Sequence, residues 1–352
     1  MPTQPQTADL RAPFPYFGGK SRIAPLVWER FGDVPNYIEP FFGSGAMLLG
    51  RPHDWRGRIE TVNDSDGFVS NFWRALQGDP ESVAHWADWP VNENDLHARH
   101  VWLTVQREDI TRRLEGDPDW FDTKVAGWWV WGLCQWIGSG WCYFNGPWRV
   151  VDGELLKVGG GTKRQLPHLG GAGMGIHRQR PHLGNAGRGA CEEWALHLRD
   201  TMQALADRLR RVRVCCGDWA RVCGPTPTVK QGLTAVFLDP PYSLAERDGG
   251  CYASDAEGAD IAGDVRAWCL ERGEDPRLRI ALCGYAGEGH EPLEGAGWTP
   301  VAWKAHGGYG SQASVSRARD NAHRERVWFS PHCLRPGAEA DATEEWTLPV
   351  DA

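Results

Sequence analysis

The stretch Asn36-Tyr37-Ile38-Glu39-Pro40-Phe41-Phe42-Gly43-Ser44-Gly45 joins a short apolar strand to a glycine-rich turn, and a helix is predicted to follow from Ala46. In open α/β sheets such a turn lets the backbone approach a ligand closely, while the N–H groups at the helix start point toward that ligand. The stretch therefore predicts an α/β fold with a ligand site at the carboxyl end of its first strand.

The same alternation of strand, turn and helix recurs along the chain. A second strand is predicted at Arg58–Val62, and it ends at Asn63–Asp66 before another helix. Later strands are predicted at Val212–Cys216, Leu233–Leu238, Leu278–Cys283 and Val327–Ser330. Alternation of this kind is typical of a doubly wound α/β sheet.

Asp64 ends the second strand, about twenty residues beyond the glycine-rich turn, where sites of this class use an acid to bind ribose hydroxyls. The turn and the acid together predict a site for a nucleoside cofactor. The chain contains no P-loop motif, which disfavours hydrolysis of a nucleoside triphosphate.

A second chemical signal is the tetrapeptide Asp239-Pro240-Pro241-Tyr242, which directly follows the predicted strand Leu233–Leu238. Two prolines end the strand and stiffen the chain at the carboxyl edge of the sheet. The tetrapeptide offers a carboxylate, a proline carbonyl and an aromatic face, which are the groups needed to hold a planar base with an exocyclic amine. The alternative for these four residues alone is a plain turn after a strand.

Composition limits the classes of protein that fit. The 352 residues carry a formal net charge of −8, and the chain has no apolar run long enough to span a membrane. The N-terminal segment lacks the pattern of a signal peptide, so we expect a cytoplasmic protein. The ten cysteines are scattered without paired CxxC spacing, which predicts reduced thiols and no metal site.

The order of segments predicts one catalytic domain that an insertion interrupts. The expected organisation is a disordered tail at 1–12, a catalytic domain at 13–78 and 191–335, an inserted helical, tryptophan-rich and loop-rich region at 79–190, and an acidic flexible tail at 336–352. Most tryptophans between Trp128 and Trp148 are expected to pack inside the insertion, although base stacking is the alternative.

A glycine-rich repeat at 161–190 is the longest basic stretch without an acid. Its basic residues are Lys163, Arg164, Arg178, Arg180 and Arg188. Basic side chains on a glycine-rich flap are suited to contact DNA phosphates. The alternative is a solubilising loop that does not contact DNA.

Four segments, in this order, resemble the Dam-type α-group of DNA adenine-N6 methyltransferases: Tyr16–Lys20, Glu39–Gly45, Asn63–Leu76 and Asp239–Tyr242. The resemblance implies a Rossmann-like domain that uses S-adenosylmethionine, with 79–190 as the target-recognition region. It also suggests a phage-type orphan enzyme or a member of a restriction–modification system. Tyr16 stands where the family often has tryptophan, and the family's recognition hairpin is not recognisable, so no target sequence is implied.

The resemblance also implies roles for individual residues. Glu39 would meet the methionine amino group of the cofactor, Asp64 its ribose and Asp218 its adenine. The full set of expected cofactor-binding residues is Tyr16, Gly18, Lys20, Glu39, Pro40, Phe41, Gly43, Gly45, Asp64, Asp218 and Asp239.

The catalytic role is expected to fall on Asp239, Pro240, Pro241 and Tyr242. Hydrogen bonds from the amine to Asp239 and to the Pro240 carbonyl would direct the N6 lone pair toward the methyl group. Tyr242 would stack on an adenine flipped out of double-stranded DNA. The alternatives are a cytosine-N4 methyltransferase, which the same site chemistry would serve, and a catalytically silent DNA-binding regulator.

Overall fold

The computed structural model divides the chain into two units. It describes residues 10–14, 16, 20–52, 54–90, 92–136, 140–142, 148–151, 154–157, 192–242, 260–303 and 323–335. One unit comprises residues 1–11, 16–65 and 211–352, and we call it the sheet unit. The other comprises residues 12–15 and 66–210, and we call it the helical unit.

Nine strands occur in the described part of the chain. They are β1 Asn36–Glu39, β2 Ile59–Asp64, β3 Trp148–Val151, β4 Glu154–Lys157, β5 Arg213–Cys216, β6 Thr234–Leu238, β7 Leu278–Tyr285, β8 Thr299–Ala302 and β9 Glu325–Phe329. The sheet unit contains seven of them in the order β5-β2-β1-β6-β7-β9-β8. The first five in that order are parallel, and β9 runs antiparallel to both β7 and β8. The predicted α/β sheet is therefore confirmed, with an antiparallel edge.

The helices are divided between the units. The sheet unit has α1 Ala24–Phe31, α2 Ala46–Leu49, α8 Ala220–Cys223, α9 Ile261–Arg272 and α10 Pro292–Gly295. The helical unit has α3 Gly67–Gly78, α4 Pro80–Ala87, α5 Glu93–Gly116, α6 Thr123–Gln135 and α7 Glu192–Leu209, and also the antiparallel hairpin β3–β4. Of the helices that the structure describes, none has the length and apolar character needed to cross a bilayer.

Parallel strands covered on both faces read as continuous apolar runs, and the centre of the sheet follows this rule. Every residue of β1 and of β6 is buried. The hydrophobic core on one side of the sheet includes Ile38 and Val236 from these strands, together with Ile280 and Leu282 from β7. The apolar runs that predicted the central strands thus form the interior that positions their carboxyl ends.

Side-chain caps begin the helices α3 to α6 of the helical unit. Asp66 accepts a hydrogen bond from the Phe68 N–H, and Asp122 accepts one from the Val125 N–H. Caps of this kind satisfy N–H groups that have no partner within a helix. Four tryptophans of the region are buried, as predicted for packing residues: Trp129, Trp131, Trp136 and Trp141. Trp128 is partly exposed, and the side chain of Trp148 lies outside the described residues.

Some boundaries differ from the sequence-based predictions. The second strand continues beyond Val62 through Asp64, because Asn63 and Asp64 still pair with β5. The predicted closing strand Val327–Ser330 begins earlier, at Glu325, because it pairs along β7. Strands β3, β4 and β8 were not predicted, since short strands at a sheet edge or in a hairpin carry little hydrophobic periodicity.

Arg51 and Glu60 form a buried ion pair in the sheet unit. The Arg51 guanidinium donates to Glu60 Oε1 at 3.0 Å and to the Val34 carbonyl at 2.7 Å. It also lies over the Trp28 ring, 5.0 Å from the ring centroid. Both charged side chains are almost fully buried, with 0% and 4% exposure.

Arg51→Ala is expected to lower the free energy of unfolding by about 3–5 kcal/mol, because it removes the cation paired with the buried Glu60 carboxylate. Urea denaturation measures this loss. Arg56→Ala is the matched control, since Arg56 pairs with Asp54 on the surface, where such pairs contribute about 0–1 kcal/mol. Equal losses for the two variants would contradict the importance of the buried pair.

Candidate active site

The glycine-rich turn after β1 is held by the end of β2. The Phe42 N–H donates to the Asn63 carbonyl at 2.9 Å, and the Gly43 N–H donates to Asp64 Oδ2 at 2.9 Å. The Gly45 N–H donates back to the Phe42 carbonyl at 2.8 Å, which closes the turn before α2. Asp64 therefore shapes the turn, and its binding of ribose stays a prediction.

Glycine is required at two positions of this turn. Gly43 has φ +48° and Gly45 has φ +66°, which other residues adopt only with strain. A Cβ atom on Gly43 would lie 2.5 Å from Cε1 of Tyr16, and one on Gly45 would lie 2.7 Å from Cζ of Phe42. The Tyr16 ring thus packs directly on the turn, which accounts structurally for its place among the predicted site residues.

The side chain of Asn63 ties neighbouring strand ends together. Its amide nitrogen donates to the Pro40 carbonyl at 3.1 Å and to the Gly217 carbonyl at 2.9 Å. The Gly217 N–H in turn donates to the Asp64 carbonyl at 3.1 Å. The ends of β1, β2 and β5 therefore form one connected edge.

Asp218 lies next along this edge and is exposed. Its Oδ1 accepts a hydrogen bond from the Ala220 N–H at 2.8 Å at the start of the short helix α8. Beside it, the rings of Phe41 and Trp219 stack with centroids 6.1 Å apart and planes 28° apart. Both rings are partly exposed, so they offer a flat aromatic surface next to a carboxylate.

Glu39 ends β1 as a buried carboxyl, only 2% exposed. Burial raises its pKa well above the usual value, and the nearby carboxylates of Asp239 and Glu60 act in the same direction. The hydrogen bonds that oppose this rise come from the Tyr37 hydroxyl, at 2.8 Å, and from the Leu48 backbone, and both donors are neutral. Glu39 is therefore suited to receive a cation.

Lys20 and Asp239 form a largely buried ion pair. The Lys20 Nζ lies 2.9 Å from Asp239 Oδ2, and the two side chains are 6% and 21% exposed. Burial alone lowers the pKa of Lys20, but Asp239 and then Glu325 outweigh burial and raise that pKa above its usual value. A charged ammonium therefore stands beside the carboxylate at the end of β6.

Tyr242 is held by residues that belong to no sequence motif. Its hydroxyl donates to Glu325 Oε2 at 3.0 Å, and its ring meets the Tyr285 ring at 4.4 Å between centroids with planes 68° apart. The Lys20 Nζ lies over the Tyr242 ring, 5.4 Å from its centroid. Burial raises the pKa of both Tyr242 and Glu325.

The predicted residues that the structure describes lie in the sheet unit, on or next to the strand ends: Tyr16, Lys20, Glu39, Pro40, Phe41, Gly43, Gly45, Asp64, Asp218, Asp239, Pro240, Pro241 and Tyr242. Gly18 lies outside the described residues, as do the basic residues Lys163, Arg164, Arg178, Arg180 and Arg188.

Residues 16–112 match the family model of the D12 class N6 adenine-specific DNA methyltransferases. The matched range covers less than half of the chain and includes the turn Glu39–Gly45 and Asp64, whereas Asp239 lies beyond it. The match gives the class of the enzyme as a DNA methyltransferase specific for the N6 of adenine, a class that generally uses S-adenosylmethionine. No curated protein matches the chain.

Sequence reasoning missed two residues of this candidate site, Glu325 and Tyr285. They face each other in the antiparallel register of β7 and β9. A charged residue at the start of a strand is common and carries no motif. Glu325 could be identified only from the register in which β7 pairs with β9, and that register is known only from the folded sheet.

Lys20→Met is expected to make stability more dependent on pH. A carboxyl whose pKa is higher in the folded chain than in the unfolded chain loses stability as pH rises from the unfolded pKa to the folded pKa. Lys20 opposes the rise in the pKa of Glu325, so its removal enlarges that loss. The stability deficit of the variant should therefore be larger at about pH 8 than at about pH 5 in chemical denaturation.

The matched control is Lys230→Met, because Lys230 is exposed and outside this cluster. Its effect on the free energy of unfolding should be small and the same at both pH values. A deficit of Lys20→Met that does not change with pH would show that Lys20 does not govern the charge of this site.

Proposed function

We propose that this protein transfers a methyl group from S-adenosylmethionine to the N6 amine of an adenine flipped out of double-stranded DNA. The observation that carries the proposal is the convergence of Glu39, Asp64 and Asp239 at the ends of three adjacent strands in a unit whose N-terminal part matches adenine-specific DNA methyltransferases. In open α/β sheets this edge is where ligands bind.

The residues of the edge fit the cofactor in charge and shape. Glu39 is a buried carboxyl with neutral donors, so the ammonium of the methionine moiety would supply the missing positive charge. The turn at Gly43 packs against the Tyr16 ring, and its N–H is held by Asp64, which would bind the ribose. Phe41 and Trp219 offer an aromatic surface for the cofactor's adenine, beside Asp218.

When bound, S-adenosylmethionine supplies an electrophilic methyl group on a positively charged sulfur. The work of Asp239 is to orient the amine that attacks it. Lys20 contacts Oδ2 of Asp239, so Oδ1 would accept one hydrogen of the amine while the Pro240 carbonyl accepts the other. These hydrogen bonds concentrate the nitrogen lone pair on the side of the methyl group. The methylated nitrogen becomes acidic, and its proton would pass to Asp239 and then to water.

Tyr242 would stack on the target base. Chemistry on an atom within the duplex requires the base to leave the stack, and an aromatic ring compensates part of the lost stacking. Contact of DNA with the basic repeat at 161–190 remains a prediction, as do the target-recognition role of 79–190 and a phage or restriction–modification context.

The direct test is expression of the chain in a host that lacks DNA methylation, followed by sequencing that detects modified bases. The expected result is N6-methyladenine at a single sequence context. Methylation of cytosine N4 instead would support the cytosine alternative, and unmodified DNA from cells that contain the folded protein would contradict the proposal.

Asp239→Ala is expected to lower the rate of methyl transfer by about 10²- to 10³-fold, the usual cost of removing a group that stabilises the transition state. Affinity for S-adenosylmethionine should change only a few-fold. Initial rates with unmethylated plasmid and radiolabelled cofactor, together with calorimetry, measure the two effects. Asp264→Ala is the control, because Asp264 is exposed on α9. Turnover close to wild type in Asp239→Ala would rule out this mechanism.

Cofactor binding is expected to release a proton from Glu39. The raised pKa keeps this carboxyl protonated above the pH at which an ordinary glutamate ionises, whereas a bound ammonium favours the ionised form. Affinity should therefore increase with pH through that window and then level off. Calorimetry in two buffers of different ionisation enthalpy measures the proton release.

Glu39→Gln should bind the cofactor more weakly and lose this proton release. Glu274→Gln, on an exposed side chain, should keep both properties of the wild type. The same proton release in Glu39→Gln as in the wild type would remove Glu39 from the cofactor site.

A further inference from the structure

Glu325 is a buried carboxyl at the start of β9, 7% exposed, and the proposed chemistry does not use it. Its register partner on the neighbouring strand β7 is Tyr285. Burial raises the pKa of Glu325, and the ammonium of Lys20 opposes that rise. A buried ionisable group of this kind is costly and needs compensating partners.

The side chain of Glu325 interacts with Tyr242, the aromatic residue that follows β6. Its Oε2 accepts the hydroxyl hydrogen of Tyr242 at 3.0 Å. It also acts electrostatically on Lys20, whose ammonium lies 2.9 Å from Asp239 and over the Tyr242 ring. Glu325 therefore holds the hydroxyl of the same aromatic ring over which the Lys20 ammonium lies.

Geometry explains why such a support is useful. Tyr242 follows two prolines beyond the end of β6, so no strand hydrogen bonds hold its backbone in the sheet. The orientation of its ring is instead set by the Tyr285 ring on one side and by the bond from its hydroxyl to Glu325. Both of these contacts come from the antiparallel pair β7–β9.

We infer that Glu325 is a positioning residue, which holds the Tyr242 ring in the orientation that receives the target base. This inference rests on the proposed function, because it assigns Tyr242 to the base. It differs from a purely structural role, since the effect of Glu325 on catalysis must pass through the Tyr242 hydroxyl.

A double-mutant cycle on the full-length protein tests this route. Glu325→Ala and Tyr242→Phe should each lower kcat by about tenfold, which corresponds to about 1.4 kcal/mol, and the double variant should be no slower than the slower single variant. Glu325→Gln should retain more activity than Glu325→Ala, because an amide oxygen still accepts the hydroxyl hydrogen. Affinity for S-adenosylmethionine should not change in the Glu325 variants.

Glu60→Gln is the matched control, since Glu60 is a buried carboxyl on β2 that pairs with Arg51. In the double variant with Tyr242→Phe, the fold-loss in kcat should equal the product of the two single fold-losses, as expected for independent sites. Multiplicative losses for Glu325→Ala and Tyr242→Phe would overturn the inference, because they would show that Glu325 acts independently of the hydroxyl.

A readout that does not depend on activity separates this inference from the proposed function. With 3-fluorotyrosine incorporated, the ¹⁹F resonance of Tyr242 is identified by its loss in Tyr242→Phe. Glu325→Ala should shift this resonance and Glu325→Gln should shift it less. An unchanged resonance would overturn the positioning role. If the resonance shifts but the wild-type protein transfers no methyl group to DNA, the proposed function is overturned. The catalytic part of this inference is then overturned with it.

Discussion

The ammonium of Lys20 is the charge on which the carboxyl groups around the end of β6 depend. It is buried 2.9 Å from Asp239, and both Asp239 and Glu325 raise its pKa. A buried carboxyl group such as Glu325 destabilises the fold when no cation compensates its charge. The segment that precedes α1 therefore supplies the positive charge for the carboxylate that follows β6. In this way Lys20, which is far from Asp239 in sequence, becomes part of the same site.

Among the described residues, no cation comparable to Lys20 acts on Glu39. Its donors are neutral, and the repulsion from Asp239 adds to the effect of burial on its pKa. A positive charge bound near Glu39, at this edge of the sheet, would therefore be stabilised by that carboxyl group. S-adenosylmethionine would bring an ammonium and a sulfonium, whereas the demethylated product has lost the sulfonium charge. These electrostatics would thus favour the substrate cofactor over the product.

The parts of the site that sequence predicts well are those built within one strand and its turn. Glu39, Gly43 and Gly45 follow from local pattern, because strand, positive-φ glycines and helix start are adjacent in the chain. Asp64 was found from spacing, but its hydrogen bond to Gly43 depends on the pairing of β1 with β2. Glu325 could not be found in this way, since its contact with Tyr242 spans 83 residues and requires an antiparallel strand at the end of a parallel sheet.

The two roles of Asp64 are physically coupled. Its Oδ2 holds the Gly43 N–H, and Gly43 in turn carries the Tyr16 ring against the turn. Removing the carboxylate would therefore alter the turn and the predicted ribose contact together, and a loss of cofactor affinity in Asp64→Ala would not distinguish them. Asp64→Asn differs, because its amide oxygen can still accept the Gly43 hydrogen bond while the negative charge is lost. Cofactor affinity that survives in Asp64→Asn but not in Asp64→Ala would assign the role of Asp64 to the shape of the turn.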